Sequence, residues 1–407
     1  MIRFMHAADL HLGLRITRFE ENACNRIGEA RFTALQQLRE RAAEHRVDFI
    51  LIAGDVFDDH SVSRTDVAVR TFAILEGSNN SCPVFIIPGN HDPLVPGGVW
   101  ERDPWLRAQP HLRVHFLRHA EPVAVPDFPV TIFPCPLRQR RSMDDPTAWI
   151  ERHPRAKDDK TIRIGLAHGS LNIMPLPEDD HLIRNDAADH YGLDYLALGH
   201  WHKRSSHKSS DGVERTAYSG THESMHFPGA HGDISIGWSS FSADGDAERF
   251  RDDGHGSALL VTIDTAGAPP RIEPIEIGRL RWSAEKRDVS SQPLGDLISD
   301  YARREIPERT ILRLILSGVV DPRGHARIDE LNQIVLNRYH AGSSLDADAV
   351  LIEPNADQLS EIVGLGVLKR VLERLKEDAQ STDAALKCVA DHGLKLLYQI
   401  AWEEQPR

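Results

Sequence analysis

The 407-residue sequence predicts a layered α/β core on three observations: five short apolar runs, helical periodicity between the first three, and a polar group of metal-ligand character directly after each run. The runs are residues 2–8, 47–53, 83–88, 162–167 and 193–198, and each reads as a buried strand of a sheet covered on both faces. A helix is expected over 27–46, where Phe32, Leu35, Leu38 and Ala42 fall on one face. Residues 67–75 repeat the pattern before the third run. Strand, helix and strand in alternation support a layered core.

Composition narrows the class. With 41% apolar and 27% charged residues the chain reads as a soluble globular protein, and its length suggests two or three domains. No apolar run approaches the roughly 20 residues that cross a bilayer, so no membrane partner is expected. A carboxylate arrives at Asp9, too early for a secretory signal, which points to a cytoplasmic protein. Forty-eight Lys and Arg against 61 Asp and Glu give a net charge of −13, which argues against a sequence-wide basic coat for nucleic acid. A local basic groove, or a site made positive by metal ions, stays open. Cys24, Cys82, Cys135 and Cys388 form no CxxC pair and read as reduced thiols. The unusual count is 22 histidines, several beside Asp, Asn or Gly.

Those histidines belong to the strand ends. The first run delivers Asp9 and His11; the second, Gly54-Asp55-Val56-Phe57-Asp58; the third, Gly89-Asn90-His91-Asp92. The fourth leads into His168-Gly169 and the fifth into Gly199-His200-Trp201-His202. Open α/β sheets bind ligands beyond the carboxyl ends of their strands, where all of these fall. Carboxylates, imidazoles and an amide without thiolate suit Mn, Fe or Zn in an open catalytic site. Two cations about 3.5–4 Å apart need a bridging carboxylate, and Asp55 is the best candidate because Gly54 lets the backbone approach closely. Asp9, His11 and His202 complete one metal in this reading; Asn90, His168 and His200 complete the other. His200 and His202, two apart on an extended segment, reach different metals only if the loop bends at Gly199. His91 is not needed as a ligand and is assigned as proton donor to the leaving oxygen, with Asp58 orienting it.

D-x-H, GD-x-x-D, GNHD, H-G and GH-x-H in this order resemble the calcineurin-like metallophosphoesterase superfamily. Residues 6–13 (HAADLHLG) and 52–58 (IAGDVFD) are similar to the SbcD-type nucleases, DNA repair exonucleases of double-strand breaks. The resemblance covers roughly residues 1–222 and resumes more weakly over 280–355. It implies an α/β/β/α core with a small α/β capping domain and C-terminal helices, and the same ligand sharing. It also implies two manganese ions, 3′→5′ exonuclease activity on duplex ends and endonuclease activity on single strands or hairpins. The expected partners are DNA, a second copy of the chain and an SMC-like ATPase of the SbcC type, on the nucleoid. In some members histidine stands at the position of Asp58.

The domains expected are a nuclease domain over 1–278, a capping domain over 279–355 and a partner-binding helical segment over 356–407. Within the cap, 294–304 and 328–339 read as helices, and 310–316 and 349–353 as strands. Two amphipathic helices follow over 357–402. Residues 139–160 read as a surface excursion. Arg138, Arg140 and Arg141, with Lys203 and Arg204, are the candidate phosphate contacts. The stretch 221–257 reads as a loop despite His222, His226, His231 and His255, whose spacing is irregular. No Walker A loop occurs, so ATP dependence has to come from another chain. A phosphatase or small-molecule phosphodiesterase on the same metals is the first competing reading, and a non-catalytic scaffold the second.

Overall fold

The computed structural model describes the chain apart from residues 18, 62–64, 79–80, 102–112, 174–179, 225–226, 228–255, 306, 353–366, 382, 384–385, 388, 391–392, 395 and 398–407. Two compact units form, one ending at Trp282 and the other beginning at Ser283.

The first unit opens with β1 (Ile2–Ala7), α1 (Glu21–Glu44), β2 (Phe49–Ala53), α2 (Thr65–Glu76), β3 (Val84–Ile87) and β4 (Val114–Phe116). It continues with β5 (Val123–Ala124), β6 (Val130–Pro134), β7 (Ile162–His168), α3 (Ala187–His190) and β8 (Tyr195–Gly199). The hairpin β9 (Ser205–Lys208) and β10 (Glu214–Tyr218), then β11 (Ser257–Ile263) and β12 (Arg271–Glu276), complete it.

The five apolar runs do not share one sheet. Three become β1, β2 and β3 in a sheet of order β12-β11-β1-β2-β3-β4, and two become β7 and β8 in a sheet of order β5-β6-β7-β8-β10-β9. Both sheets are covered on both faces at these strands, so the strands read alike in the sequence. The inner faces meet through Phe4, Phe49, Leu51 and Phe85 against Ile132, Ile164, Leu166 and Tyr195. Outside the first sheet, Met5, Ile50 and Ile52 pack with Phe32, Leu35 and Leu38 of α1. Outside the second, Leu196 and Leu198 pack with Ile150, Ala187 and Ala188. The layers are α/β/β/α, as the family resemblance implies. Strands β1 to β4 are mutually parallel, as are β6, β7, β8 and β10, so the carboxyl ends within each set gather at one edge.

His6 carries polar contacts across the sandwich interior. His6 of β1 is fully buried; its Nε2–H donates to the Leu198 carbonyl at 3.1 Å, and its Nδ1 accepts from the Tyr195 hydroxyl at 3.0 Å. Burial lowers His6 to about 3 against the pull of that carbonyl, so the ring is neutral. Residues 139–160 are not wholly superficial: Thr147 and Ile150 are buried, the latter in a short 3₁₀ helix, Ala148–Arg152.

The second unit carries β13 (Arg281–Asp288) from Ser283 onward, α4 (Leu294–Arg303), β14 (Thr310–Val320), α5 (Pro322–Arg338), β15 (Ser344–Ile352) and α6 (Val367–Ala379). Its sheet has the order β13-β14-β15 over a core of Leu297, Tyr301, Leu312, Leu314, Leu331 and Val335. This is the small α/β module expected from the sequence. α6 is the first of the two amphipathic helices expected in 357–402; of the second, only scattered residues are described. No described helix is long and apolar enough to cross a membrane.

Tyr195→Phe removes the hydroxyl that His6 Nδ1 meets and strands a buried acceptor. Unfolding in urea is expected to show a loss of about 1–3 kcal/mol at unchanged m. A loss under about 0.5 kcal/mol would mean that the contact adds nothing to the cohesion of the sheets.

Candidate metal centre

The loops after β1, β2 and β3 carry Asp9, His11, Asp55, Asp58, Asn90 and His91, while β7 ends on His168 and the loop after β8 carries His200 and His202. The backbone of this region is strained. Of seven non-glycine residues with positive φ among those described, four are Asp9 (55°), His11 (41°), Asp55 (52°) and His200 (103°). Two of the loops hold each other: Asp9 N–H donates to Gly54 O at 3.2 Å, His11 N–H to Asp55 O at 3.0 Å and Leu12 N–H to Val56 O at 2.9 Å. Gly54, at φ 87°, has no room for a side chain, since a Cβ would stand 2.4 Å from His168 Nδ1; at Gly89 it would stand 2.1 Å from Asp55 Oδ1.

The ligand atoms converge. Asp9, His11 and His202 each present one within 4.8 Å of the others, and so do Asp9, Asp55 and His168. His11 Nε2 lies 3.2 Å from His202 Nε2. Asn90 Oδ1 lies 2.8 Å from His168 Nε2 and 3.2 Å from His200 Nδ1. Between these groups, Asp55 Oδ2 is 3.3 Å from His168 Nε2 and 3.8 Å from His11 Nε2. His200 and His202 therefore face different groups, and the bend that separates them falls on His200. Gly199 is needed for close approach: a Cβ there would be 2.1 Å from Ala53 O.

A positive charge is missing from this arrangement of side chains. His168 gives its Nδ1–H to Ala53 O at 2.8 Å, so a neutral ring turns the Nε2 lone pair onto Asn90 Oδ1, acceptor against acceptor. Burial opposes protonation of His168, but the Asp55 carboxylate beside it raises it to about 9. Burial pushes Asp9 up to about 6, with Asp55 adding and His168 opposing. Asp55 itself stays well below the usual range: burial works against its ionisation, and His168 and His11 outweigh it. Burial and the His168 charge lower His200 to about 3. A divalent cation would supply that charge, and two carboxylates, an amide oxygen and imidazoles without thiolate are a donor set for such a cation.

His91 sits at the rim, with its side chain 28% exposed and its ring edge-on to His11 at 4.7 Å. It gives Nδ1–H to the main-chain carbonyl of Asp58 at 2.9 Å. The Asp58 carboxylate is 3.9 Å from that nitrogen and closer, at 3.3 Å, to Nδ1 of His11. Asp58 thus meets the two rings with different atoms.

Several supporting residues are given no role by the sequence motifs, even where, as with Asp92 of GNHD, a motif contains them. Arg31 of α1 is buried, with Nε donating to Leu10 O at 3.0 Å and Nη2 to the same oxygen at 2.5 Å. Asp92, also buried, accepts from Phe57 N at 2.9 Å and from Gly89 N at 2.7 Å, tying the loops after β2 and β3 together. Glu223 accepts from Arg279 N at 2.6 Å and Leu280 N at 3.1 Å. His222 is a core residue whose Nε2–H donates to Arg31 O at 2.9 Å, whereas His226, His231 and His255 lie outside the described residues. Of the basic candidates, Arg138 donates to Arg118 O at 3.1 Å, and Arg140 stands 3.9 Å from Asp59. Arg141 and Lys203 are exposed, and Arg204 donates to Ser257 Oγ at 3.1 Å.

Comparison with known proteins gives the architecture a family. The model of the calcineurin-like phosphoesterases matches residues 2–204. An uncharacterized metallophosphoesterase, YhaO, of Bacillus subtilis is 32% identical over 220 residues, 50% of this chain and 49% of that protein. The DNA double-strand break repair protein Mre11 of Methanocaldococcus jannaschii is 24% identical over 225 residues, 54% of this chain and 56% of its own. SbcD, a component of the Escherichia coli nuclease SbcCD, is 33% identical over 95 residues, 23% of this chain and 22% of its own. The chain thus spans about half the length of the relatives matched over the longest segments. The family match runs from the first residues of β1 to just past His202 and takes in every strand end described above. Through residues 2–204 the chain belongs to the calcineurin-like phosphoesterases, a family of metal-dependent phosphoester hydrolases that bind two divalent ions.

Proposed function

We propose that the chain is a two-metal DNA nuclease that hydrolyses phosphodiester bonds, with manganese as its ion, in the processing of DNA breaks. The observation that carries the reading is Asp55 Oδ2 lying between the group of Asp9, His11 and His202 and the group of Asn90, His168 and His200, with His91 at the open rim. Two divalent cations held by these groups would polarise a phosphoryl oxygen and bring the pKa of water toward neutrality. The protein's own part is to hold that constellation still. With Nδ1–H committed to the Asp58 carbonyl, His91 acts as the imidazolium: it turns its second proton, on Nε2, to the leaving oxygen of the scissile ester, gives it up there and is left as the neutral ring. Asp58, through its carboxylate, steadies His11 as well.

DNA as substrate is supported by the repair and nuclease names of two relatives and by residues 6–13 and 52–58. Arg138, Arg140, Arg141 and Lys203 would take the phosphates on either side of the cut; Arg204 is in part committed to Ser257. Exonuclease action 3′→5′ on duplex ends, single-strand endonuclease action, a homodimer and an SMC-like ATPase partner complete the proposal. The charge of −13 favours a second reading, a phosphodiesterase for small substrates.

End-labelled duplex and circular single-stranded DNA with manganese separate the two. The wild type is expected to cut both, more weakly as salt rises, and His91→Ala to be slower by about 10²–10⁴-fold while still binding metal. Hydrolysis of bis-p-nitrophenyl phosphate with DNA left intact would favour the second reading, and full activity of His91→Ala would remove the proton-donor role.

Metal uptake should depend on pH with a definite sign. His168 holds its proton below about 9 and Asp9 below about 6, so a cation must displace protons. Manganese affinity is expected to climb from pH 6 to pH 9, by up to about tenfold per unit for each proton released. Calorimetry in buffers of different ionisation enthalpy measures that release, and a pH-independent affinity would contradict the proposed ligand set.

A further inference from the structure

Each imidazole of the cluster has an inward and an outward nitrogen. A ligand imidazole is neutral and turns a lone pair inward, so its proton sits outside and needs an acceptor. For His168 the acceptor is the Ala53 carbonyl. For His11 the outward Nδ1 faces the Asp58 carboxylate. His200 is the reverse tautomer: Nδ1 faces Asn90 Oδ1, so the proton belongs on Nε2. What faces Nε2 is Asp180 Oδ1, 3.7 Å away.

Asp180 is suited to this task. It is 9% exposed, and its Oδ1 is buried without a hydrogen-bond partner among the described residues. Its segment is fastened to the end of β7. His181 N–H donates to Ser142 O at 2.7 Å, and Ile183 N–H donates to Ser170 O at 2.8 Å, two residues past His168. A Cβ at Gly169 would stand 2.2 Å from His181 O, so the two backbones touch. Asp180 is thus held beside the end of β7, the strand paired with the one that leads into His200, and a shift of under about 1 Å in either side chain turns 3.7 Å into a hydrogen bond.

We propose that Asp180 is a positioning residue, the carboxylate that keeps the His200 proton on Nε2 and so aims Nδ1 at the cation shared with Asn90 and His168. The proposal rests on the reading of His200 as a ligand given above. It adds an outer partner from residues 180–183, a segment that none of the sequence motifs marks.

The test is manganese calorimetry on the full chain, with ¹⁵N spectra of the histidine rings. Wild type is expected to bind two ions. Asp180→Ala should weaken one site by about 10–100-fold and leave the other unchanged, with the His200 ring losing its Nε2–H preference. Asp180→Asn keeps an acceptor oxygen without the charge, so its loss should be smaller; this variant also decides the matter if the alanine protein fails to fold. Two wild-type affinities and an unchanged His200 tautomer in the variants would overturn the role of Asp180 alone. A wild type that binds no metal would overturn the ligand reading, and this proposal with it.

Discussion

Asp9 and Asp55, two carboxylates buried where two sheets meet, are the constraint around which the first unit is arranged. Taken out of water and set close together, they disfavour each other's ionisation, and nothing in the apolar layers beside them compensates. Imidazoles, an amide oxygen and a place for positive charge answer them from the neighbouring strand ends. Bringing those groups into reach forces four non-glycine residues to positive φ and leaves no room for a Cβ at Gly54 or Gly89. The surroundings over-determine this strained geometry. Arg31 grips the carbonyl of Leu10, the residue after Asp9, and Asp92 fastens the loop after β2 to the loop after β3.

The same network reaches the end of the unit. The Arg31 guanidinium and the Glu223 carboxylate both attach to backbone, the first to the loop after β1 and the second to Arg279 and Leu280. Trp282 closes the arrangement by donating Nε1–H to Ser224 O at 2.8 Å. Burial pushes Glu223 up to about 7 against the backbone N–H groups that it accepts from. Two buried ionisable groups thus serve to hold main chain in place.

Much of this is legible in the sequence. The apolar runs of β1, β2, β3, β7 and β8 stand out because both faces of each are buried, and the candidate ligands stand out because they follow those runs directly. The edge strands do not. β9 alternates with solvent, and β12 has no fully buried residue and carries Pro274, so neither forms an apolar run. β11 is wholly buried, but no ligand motif follows it, and a reading built on strand ends passes it by. Arg31, Asp180 and Glu223 are illegible for another reason, as is the role of Asp92 inside the GNHD motif: their roles come from partners brought near by the fold, as far as 192 residues away for Arg31 and Glu223. The division of five strands between two sheets is hidden by the symmetry of their burial.

The two halves of the centre come from different halves of the sandwich. Asp9, His11, Asp55 and Asn90 hang from the first sheet, and His168, His200 and His202 from the second, so neither sheet alone owns a complete set of donors. A nascent or clipped chain that has folded one sheet holds only fragments of the centre. The full set of donors is therefore brought together only where the two sheets of the sandwich meet. Assembly of the centre is thereby tied to assembly of the fold, by topology alone.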